Sequence, residues 1–154
     1  MELGLSRRAE QNLSIRVEVD TNPPGGAGTD ISIVRRFQLL RLQHHDKSSL
    51  FAEKIHAVLV REYTKGRDFY DLAWYLGSND WPAPNMEMLC NALVQTGWTR
   101  ARVDFLNLHK ELVNRFESVD WQAVQRDTLP FLERPEEVNL LNSDDMNRLI
   151  GRMK

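Results

Sequence analysis

The sequence predicts an α+β fold that is mostly helical, with two or three N-terminal strands followed by a helical bundle. Three observations support this prediction. Apolar and polar residues alternate over residues 13–19, which is typical of a strand with one apolar face. The apolar positions of residues 31–43 indicate either one bent strand or two short ones. From Ser48 onward, apolar residues recur three and four apart, the spacing of helices that bury one face.

The bounds of the helices follow from residues that favour helix starts and stops. Ser48 or Ser49 can cap the first helix, because a serine side chain accepts a hydrogen bond from a free N–H of the first turn. Glycine favours a helix end, since it adopts the left-handed conformation without strain. The further predicted helices cover residues 67–76 before Gly77, residues 86–95 before Gly97, a long helix starting at Thr99 or Ala101, residues 121–128, and the final third.

Length and composition limit the class of protein. A chain of 154 residues is long enough for one compact unit, in which we expect a partial sheet over residues 1–47 and a helical bundle over residues 48–154. The net charge of −2 does not favour a protein that coats nucleic acid through bulk charge, and no DNA partner is expected. The single cysteine, Cys90, excludes an internal disulfide. It also fits a reducing cytosol, so we expect a cytoplasmic protein. No apolar run approaches the roughly 18 residues that span a bilayer, so no membrane partner is expected.

Residues 65–72, Lys-Gly-Arg-Asp-Phe-Tyr-Asp-Leu, carry the densest group of charged side chains. If a helix begins near Gly66, Asp68 and Asp71 lie on one face and Lys65 lies in the loop before it. A helix N-terminus with free N–H groups and nearby cations is a natural phosphate site. In the other interpretation, the aspartates only cap the helix and Lys65 is solvated.

Two sequence blocks resemble a known enzyme family. Residues 50–57, followed by Arg61 and residues 65–72, resemble the late motif of the AbiEii/AbiGii-type nucleotidyltransferase toxins, members of the polymerase-beta-like nucleotidyltransferase superfamily. Upstream, Ile-Arg-Val-Glu-Val-Asp at residues 15–20 resembles the strand that carries the third acidic residue of that family. The resemblance covers residues 13–95, and the second block is the more specific of the two.

The resemblance implies transfer of a nucleoside monophosphate from an NTP to an acceptor such as tRNA, another RNA or a protein hydroxyl. It implies that Lys65 contacts the nucleotide phosphate, and that Asp68 orients a substrate hydroxyl or holds Lys65. Glu18 and Asp20 would hold Mg²⁺, which bridges phosphate oxygens in such reactions. We expect Glu18, Lys65 and Asp68 to converge on one cleft. The candidate site residues are Lys65 and Asp68 for catalysis, Glu18 and Asp20 for metal binding, and Lys54, Arg61 and Arg67 for nucleotide binding.

Several of these residues have a simpler interpretation. Glu18 is equally typical of a solvated sheet face, Lys54 favours solvation, and Arg61 favours a structural ion pair. Tyr70 and Trp74, four residues apart, favour core packing over a platform for base stacking.

One departure from the superfamily is large. Its first motif, a Gly-Ser or Gly-Thr turn followed by an Asp-x-Asp pair, does not occur before Ile15. We therefore expect the C-terminal half of such an enzyme, with weak or absent catalysis by this chain alone. We also expect an exposed apolar surface over residues 13–42, because a strand without neighbours has a free edge. The alternative is a non-catalytic helical module that binds a protein partner, such as a cognate antitoxin, or forms a homodimer.

Overall fold

The computed structural model describes residues 17–100 and 103–153, and it confirms a mostly helical α+β fold. Strands β1 (Thr29–Arg35) and β2 (Leu39–His45) form an antiparallel hairpin with register Thr29↔His45 to Arg35↔Leu39. Residues 31–43 were predicted to form either one bent strand or two short ones, and the second prediction is confirmed. Residues 13–16 of the other expected strand lie outside the described residues, and residues 17–19 have no strand structure.

The β1–β2 hairpin exposes its apolar side chains on both faces. In an antiparallel pair, Ile33 lies opposite Arg41 on one face, and Val34 lies opposite Leu40 on the other. Both Ile33 and Leu39 are 71% exposed, and Phe37 in the turn is 89% exposed. The expected exposed apolar surface is therefore present over residues 31–42. The strand alternation was visible in the sequence, but no second layer covers either face among the described residues.

Six helices and two 3-10 segments follow the hairpin in the described part of the chain. The helices are α1 (Lys47–Val60), α2 (Gly66–Gly77), α3 (Met86–Gln95), α4 (Phe105–Ser118), α5 (Trp121–Thr128) and α6 (Ser143–Ile150). The 3-10 segments are Leu129–Phe131 and Pro135–Leu140. The predicted bounds of α3 and α5 are confirmed. Gly97 follows α3 with a φ of 77°, the left-handed conformation that favours glycine at a helix end.

Two predicted helix starts are wrong. The side chain of Asp46, rather than that of Ser48 or Ser49, caps α1 by accepting a hydrogen bond from the Ser49 N–H at 2.8 Å. The long helix α4 begins at Phe105 rather than at Thr99 or Ala101, because Asp104 and Asn107 form a capping box at that point. Asparagine and aspartate are as favourable as serine at an N-cap, so several neighbouring residues competed for each start.

The core lies between α1 and the helices that surround it. Ile55 and Val58 of α1 are buried with Leu72 of α2 and Leu89 of α3, each with 1% exposure or less. Aromatic rings extend this core toward α4 and α5: Phe69, Phe116 and Trp121 contact one another with ring centroids 5.4–6.3 Å apart. This packing fixes α2 against α1 and α5, and thereby positions residues 65–72. Within residues 17–100 and 103–153, no helix is long and apolar enough to cross a membrane.

Candidate functional site

The first turn of α2 packs tightly against α5. A Cβ atom on Gly66 would lie 2.3 Å from the carbonyl oxygen of Val124 and 2.4 Å from Oγ1 of Thr128, so only glycine fits. The Gly66 N–H donates a hydrogen bond to Oδ2 of Asp127 at 2.7 Å. A carboxylate from α5 therefore occupies this N–H and adds a negative charge. Phosphate binding at this helix start stays a prediction, and it depends on Lys65 rather than on the Gly66 N–H.

Sequence reasoning missed Asp127 and Thr128 as partners of the motif. Asp127 follows Gly66 by 61 residues in the chain, and Thr128 comes directly after it. No local pattern indicates such a contact, because it depends on how α2 and α5 pack. The glycine itself was the available signal, since a glycine inside an otherwise polar helix start often marks a close backbone approach.

Asp68 is the centre of an ion-pair cluster between α1 and α2. Its side chain is 6% exposed. Oδ2 accepts a hydrogen bond from Nη1 of Arg61 at 2.7 Å, and Oδ1 lies 3.4 Å from Nζ of Lys54. Arg61 follows α1 directly as its C-cap, seven residues after Lys54, and both reach the same aspartate. The structure thus brings together three of the predicted site residues.

Lys54 connects this aspartate to a second one. Its Nζ lies 2.7 Å from Oδ2 of Asp71, so the lysine is paired rather than solvated. Burial alone would lower the pKa of Lys54, but the hydrogen bond and charge of Asp71, together with those of Asp68, outweigh it and raise the pKa. Lys54 is therefore protonated throughout the physiological range. We define the ion-pair cluster as Lys54, Arg61, Asp68 and Asp71.

Arg115 of α4 holds the end of α1 in place. Its Nε donates to the Val58 carbonyl at 2.9 Å, and its Nη2 donates to the Arg61 carbonyl at 3.0 Å. These bonds satisfy carbonyl groups that the end of a helix leaves without partners. Burial, with a smaller effect from the charge of Arg100, lowers the pKa of Arg115. Sequence analysis did not identify Arg115, which positions Arg61 through the backbone.

The other two cations of the motif have different surroundings. Lys65 is half-buried at the N-cap position of α2, and its ammonium has no salt bridge within the described ranges. The lysine that Asp68 contacts is Lys54, not Lys65. The guanidinium of Arg67 lies 4.4 Å from the ring centroid of Phe131, a cation–π contact on the surface. Of the two cations in residues 65–72, Lys65 is therefore the one whose charge is available to a ligand.

Glu18 and Asp20 lie in the exposed segment before the hairpin. Asp20 accepts a hydrogen bond from the Asn22 N–H at 2.9 Å. It also lines a small pocket of about 210 Å³ with Glu53 and His56 of α1 and residues of α3. The ion-pair cluster lies instead where α1 meets α2. The convergence of Glu18 and Asp20 with Lys65 and Asp68 stays a prediction.

The described residues offer no metal site with three protein ligands, and the metal-binding role of Glu18 and Asp20 stays a prediction. No three aspartate, glutamate, histidine or cysteine side chains among them are arranged to hold a metal ion. The Asp68 carboxylate, which would be the natural ligand on α2, has both oxygens next to cations. A divalent cation would have to displace Arg61 or Lys54 to bind there. We therefore derive no chemical step through a metal ion on these residues.

The sequence motifs indicate the class of nucleotidyltransferases, and the comparison with family models gives the same class. Residues 5–143 match the family described as "Nucleotidyl transferase AbiEii toxin, Type IV TA system". The chain therefore belongs to the AbiEii nucleotidyltransferase toxin family. Membership in a type IV toxin–antitoxin family implies an NTP substrate and a cognate antitoxin. No curated protein and no solved structure matches this chain.

Proposed function

We propose that this chain provides the phosphate-handling side of a nucleotidyltransferase that moves a nucleoside monophosphate from an NTP to an RNA, such as tRNA, or to a protein acceptor. The observation that supports this proposal is the ion-pair cluster next to Lys65. A buried carboxylate holds two cations at the point where α1 and α2 meet, and the adjacent lysine keeps its charge free. Family membership supports the reaction class. We propose a cytoplasmic location for this activity.

In this proposal Asp68 acts as a positioning residue. Both of its oxygens face cations, at 2.7 Å and 3.4 Å, so the carboxylate is not free to accept a proton from a substrate hydroxyl. It fixes Arg61 and Lys54 where α1 meets α2 instead. Lys65 binds the NTP phosphates as a point charge, which strengthens hydrogen bonds to phosphate oxygens. Arg67 joins it only by leaving the ring of Phe131, so we assign Arg67 the smaller contribution.

Binding of an NTP to variants of the chain tests the role of Lys65. We expect Lys65→Ala to weaken NTP binding in isothermal titration calorimetry by about tenfold, the loss of one charge-assisted contact. Lys110→Ala is the matched control, because Lys110 is an exposed lysine on α4, away from the motif. Equal affinities for both variants would refute the assignment of Lys65.

We also propose that this chain has weak or absent transferase activity alone. The paired acids of the superfamily's first motif do not occur before Ile15, and the described residues hold no group of three metal-ligating side chains that could replace them. Incubation with labelled NTPs, Mg²⁺ and total tRNA should leave the RNA and protein fractions unlabelled. Clear transfer of label by the purified chain would contradict the proposal, and its dependence on Mg²⁺ would then identify a metal site that we do not propose.

A second candidate function is a non-catalytic module that binds a protein partner or forms a homodimer. The exposed β1–β2 hairpin favours it, since neither strand has a second partner strand within residues 17–100 and 103–153, and apolar side chains remain outside the core. An isolated two-stranded hairpin is marginally stable, so pairing with another strand would stabilise it. Light scattering on dilute protein tests this function: a dimer supports it, and a monomer that stays soluble at high concentration contradicts self-association.

A further inference from the structure

A groove of about 650 Å³ lies between α2, the Pro135–Leu140 segment and α6. Its α2 lining begins at Tyr70 and continues through Trp74 to Gly77, and it includes no member of the ion-pair cluster. The volume falls within the roughly 300–1,000 Å³ that small-molecule sites occupy. The groove is therefore a candidate site that is separate from the start of α2, and its existence does not depend on the proposed transferase role.

Trp74 gives this groove a large aromatic surface. The sequence favoured core packing for this residue, but 57% of it is exposed. Its ring is held from one side by Tyr75 and Trp81, each with a centroid 5.7 Å away. Those two rings stack on each other at 3.8 Å, and Phe51 packs against both. The indole of Trp74 is thus fixed by its neighbours before any ligand arrives, which lowers the entropy that binding costs.

The other apolar lining comes from the Pro135–Leu140 segment, the residue after it, and α6. Leu140 is 60% exposed and the half-buried Leu149 contributes further aliphatic surface, whereas Leu141 is 1% exposed and belongs to the core. The exposed indole and the exposed part of Leu140 and Leu149 leave apolar area that a ligand can bury. A flat ring suits this lining, because it can stack on the indole while its other face contacts the leucine side chains.

The polar groups of the groove are balanced in charge. The Tyr70 hydroxyl donates to Oε2 of Glu137 at 2.8 Å, and Arg148 donates to Oδ1 of Asp145 at 3.0 Å. With Arg152, the lining holds two carboxylates and two guanidinium groups. This balance gives a free phosphate no advantage. It suits an uncharged ring that carries both hydrogen-bond donors and acceptors.

We propose that this groove binds a nucleobase, which belongs either to a free nucleotide or to an unpaired nucleotide of an RNA. Every base has a flat face that stacks on tryptophan, and its edge offers both donors and acceptors to Glu137, Asp145 and the arginines. The groove lies on α2, the same helix that carries Lys65 at its N-terminus. A base bound there is held by a different part of that helix from the one proposed to contact phosphates.

The tryptophan indole N–H signals in a ¹⁵N–¹H NMR spectrum of the full chain test the proposal. The chain has four tryptophans, so each signal can be assigned by substitution. Adenosine monophosphate, uridine monophosphate and a ten-nucleotide oligouridine are the probes, and inorganic phosphate is the matched anion. We expect the Trp74 signal to shift with saturation when a base is present, and to stay unchanged with phosphate. Binding of the mononucleotides identifies a free nucleotide as the ligand source, and binding of the oligouridine alone identifies RNA.

Variants at Trp74 then separate stacking from a merely structural effect. Trp74→Ala should weaken binding about 10- to 100-fold, whereas Trp74→Phe should retain most of it, because stacking on a ring contributes most of the affinity for a base. Phe37→Ala is the control, since Phe37 in the hairpin turn is 89% exposed but does not line the groove. The proposal is overturned if no probe shifts the Trp74 signal at millimolar concentration, if phosphate alone shifts it, or if Phe37→Ala weakens binding as much as Trp74→Ala. Because Lys65 is intact in all these variants, NTP binding that persists through the phosphates leaves the proposed transferase role standing.

Discussion

Replacing Asp68 by asparagine is the sharpest perturbation of the ion-pair cluster. The asparagine has nearly the same shape, so the packing of α2 against α1 is kept. The substitution removes the negative charge that faces Arg61 and Lys54, and it can place an amide N–H group where these cations need an acceptor. Both cations then remain near the interface with less compensation. Lys54 still has Asp71, whereas Arg61 loses its only salt bridge within the described residues.

The size of the effect follows from the geometry. A hydrogen bond to a charged group contributes about 1.5–3 kcal/mol, and the 2.7 Å contact of Arg61 is of this kind. The 3.4 Å contact of Lys54 is long and adds less. The side chains of Arg61 and Lys54 are 29% and 27% exposed, so water compensates them partly. We therefore expect Asp68→Asn to lower the free energy of unfolding by about 2–3 kcal/mol, below the 3–5 kcal/mol of a fully buried pair.

Urea denaturation followed by circular dichroism measures this loss. Asp71→Asn is the matched control: its side chain is 39% exposed and pairs with the same lysine, so it should cost less than about 1 kcal/mol. A double-mutant cycle of Asp68→Ala with Arg61→Ala should show a coupling of about 1 kcal/mol or more. Surface substitutions usually change the free energy of unfolding by no more than about 0.5 kcal/mol. A change this small for Asp68→Asn would refute the role that we assign to the ion-pair cluster.

Three further outcomes can be checked on the same chain. Gly66→Ala should lower the free energy of unfolding in urea by about 2 kcal/mol or more, because its Cβ would meet the backbone of α5. In the control Gly77→Ala the Cβ would lie 3.9 Å from its nearest neighbour, so the loss should be less than half as large. Equal losses would contradict the close approach of α2 to α5. Burial lowers the pKa of His56 below its ordinary value of 6.5, so the unfolded chain binds a proton more readily than the folded chain. The free energy of unfolding should therefore fall as the pH drops below about 6.5. An equally steep fall in the His56→Gln variant would argue against this role of His56. Replacing Ile33 and Leu39 by threonine should change the free energy of unfolding of the monomer by no more than about 0.5 kcal/mol, because both side chains are exposed. The same replacement should reduce any self-association seen by light scattering. A large loss of monomer stability would show that the hairpin faces are buried.

Local signals predicted the elements of the fold well. The predicted bounds of α3 and α5 match the structure, in which the side chains of Asn85 and Asp120 cap the two helices. The starts of α1 and α4 were less certain, because several polar residues near each start can serve as the cap. The alternation of residues 31–42 predicted strands correctly, but alternation alone does not say whether another layer covers them.

The candidate site was only partly predictable, because some of its contacts join residues that are distant in the sequence. Helical spacing placed Lys54 and Arg61 on one face of α1, and the structure brings both to Asp68. The partners Asp127 and Arg115 come from α5 and α4, far away in the sequence, and no local pattern identifies them. The exposure of Trp74 was also hidden. An aromatic residue four positions from another apolar one has the same spacing in a core as at the edge of a groove.

The central claim is that Lys65 meets the phosphates of an NTP, and protection of lysines from chemical labelling tests it most directly. Pyridoxal phosphate with borohydride labels accessible lysines, and mass spectrometry reads the extent at each position with and without an NTP. We expect an NTP to reduce labelling of Lys65 strongly and to leave the exposed Lys110 on α4 unchanged. Labelling of Lys65 that is the same with and without an NTP would contradict the claim.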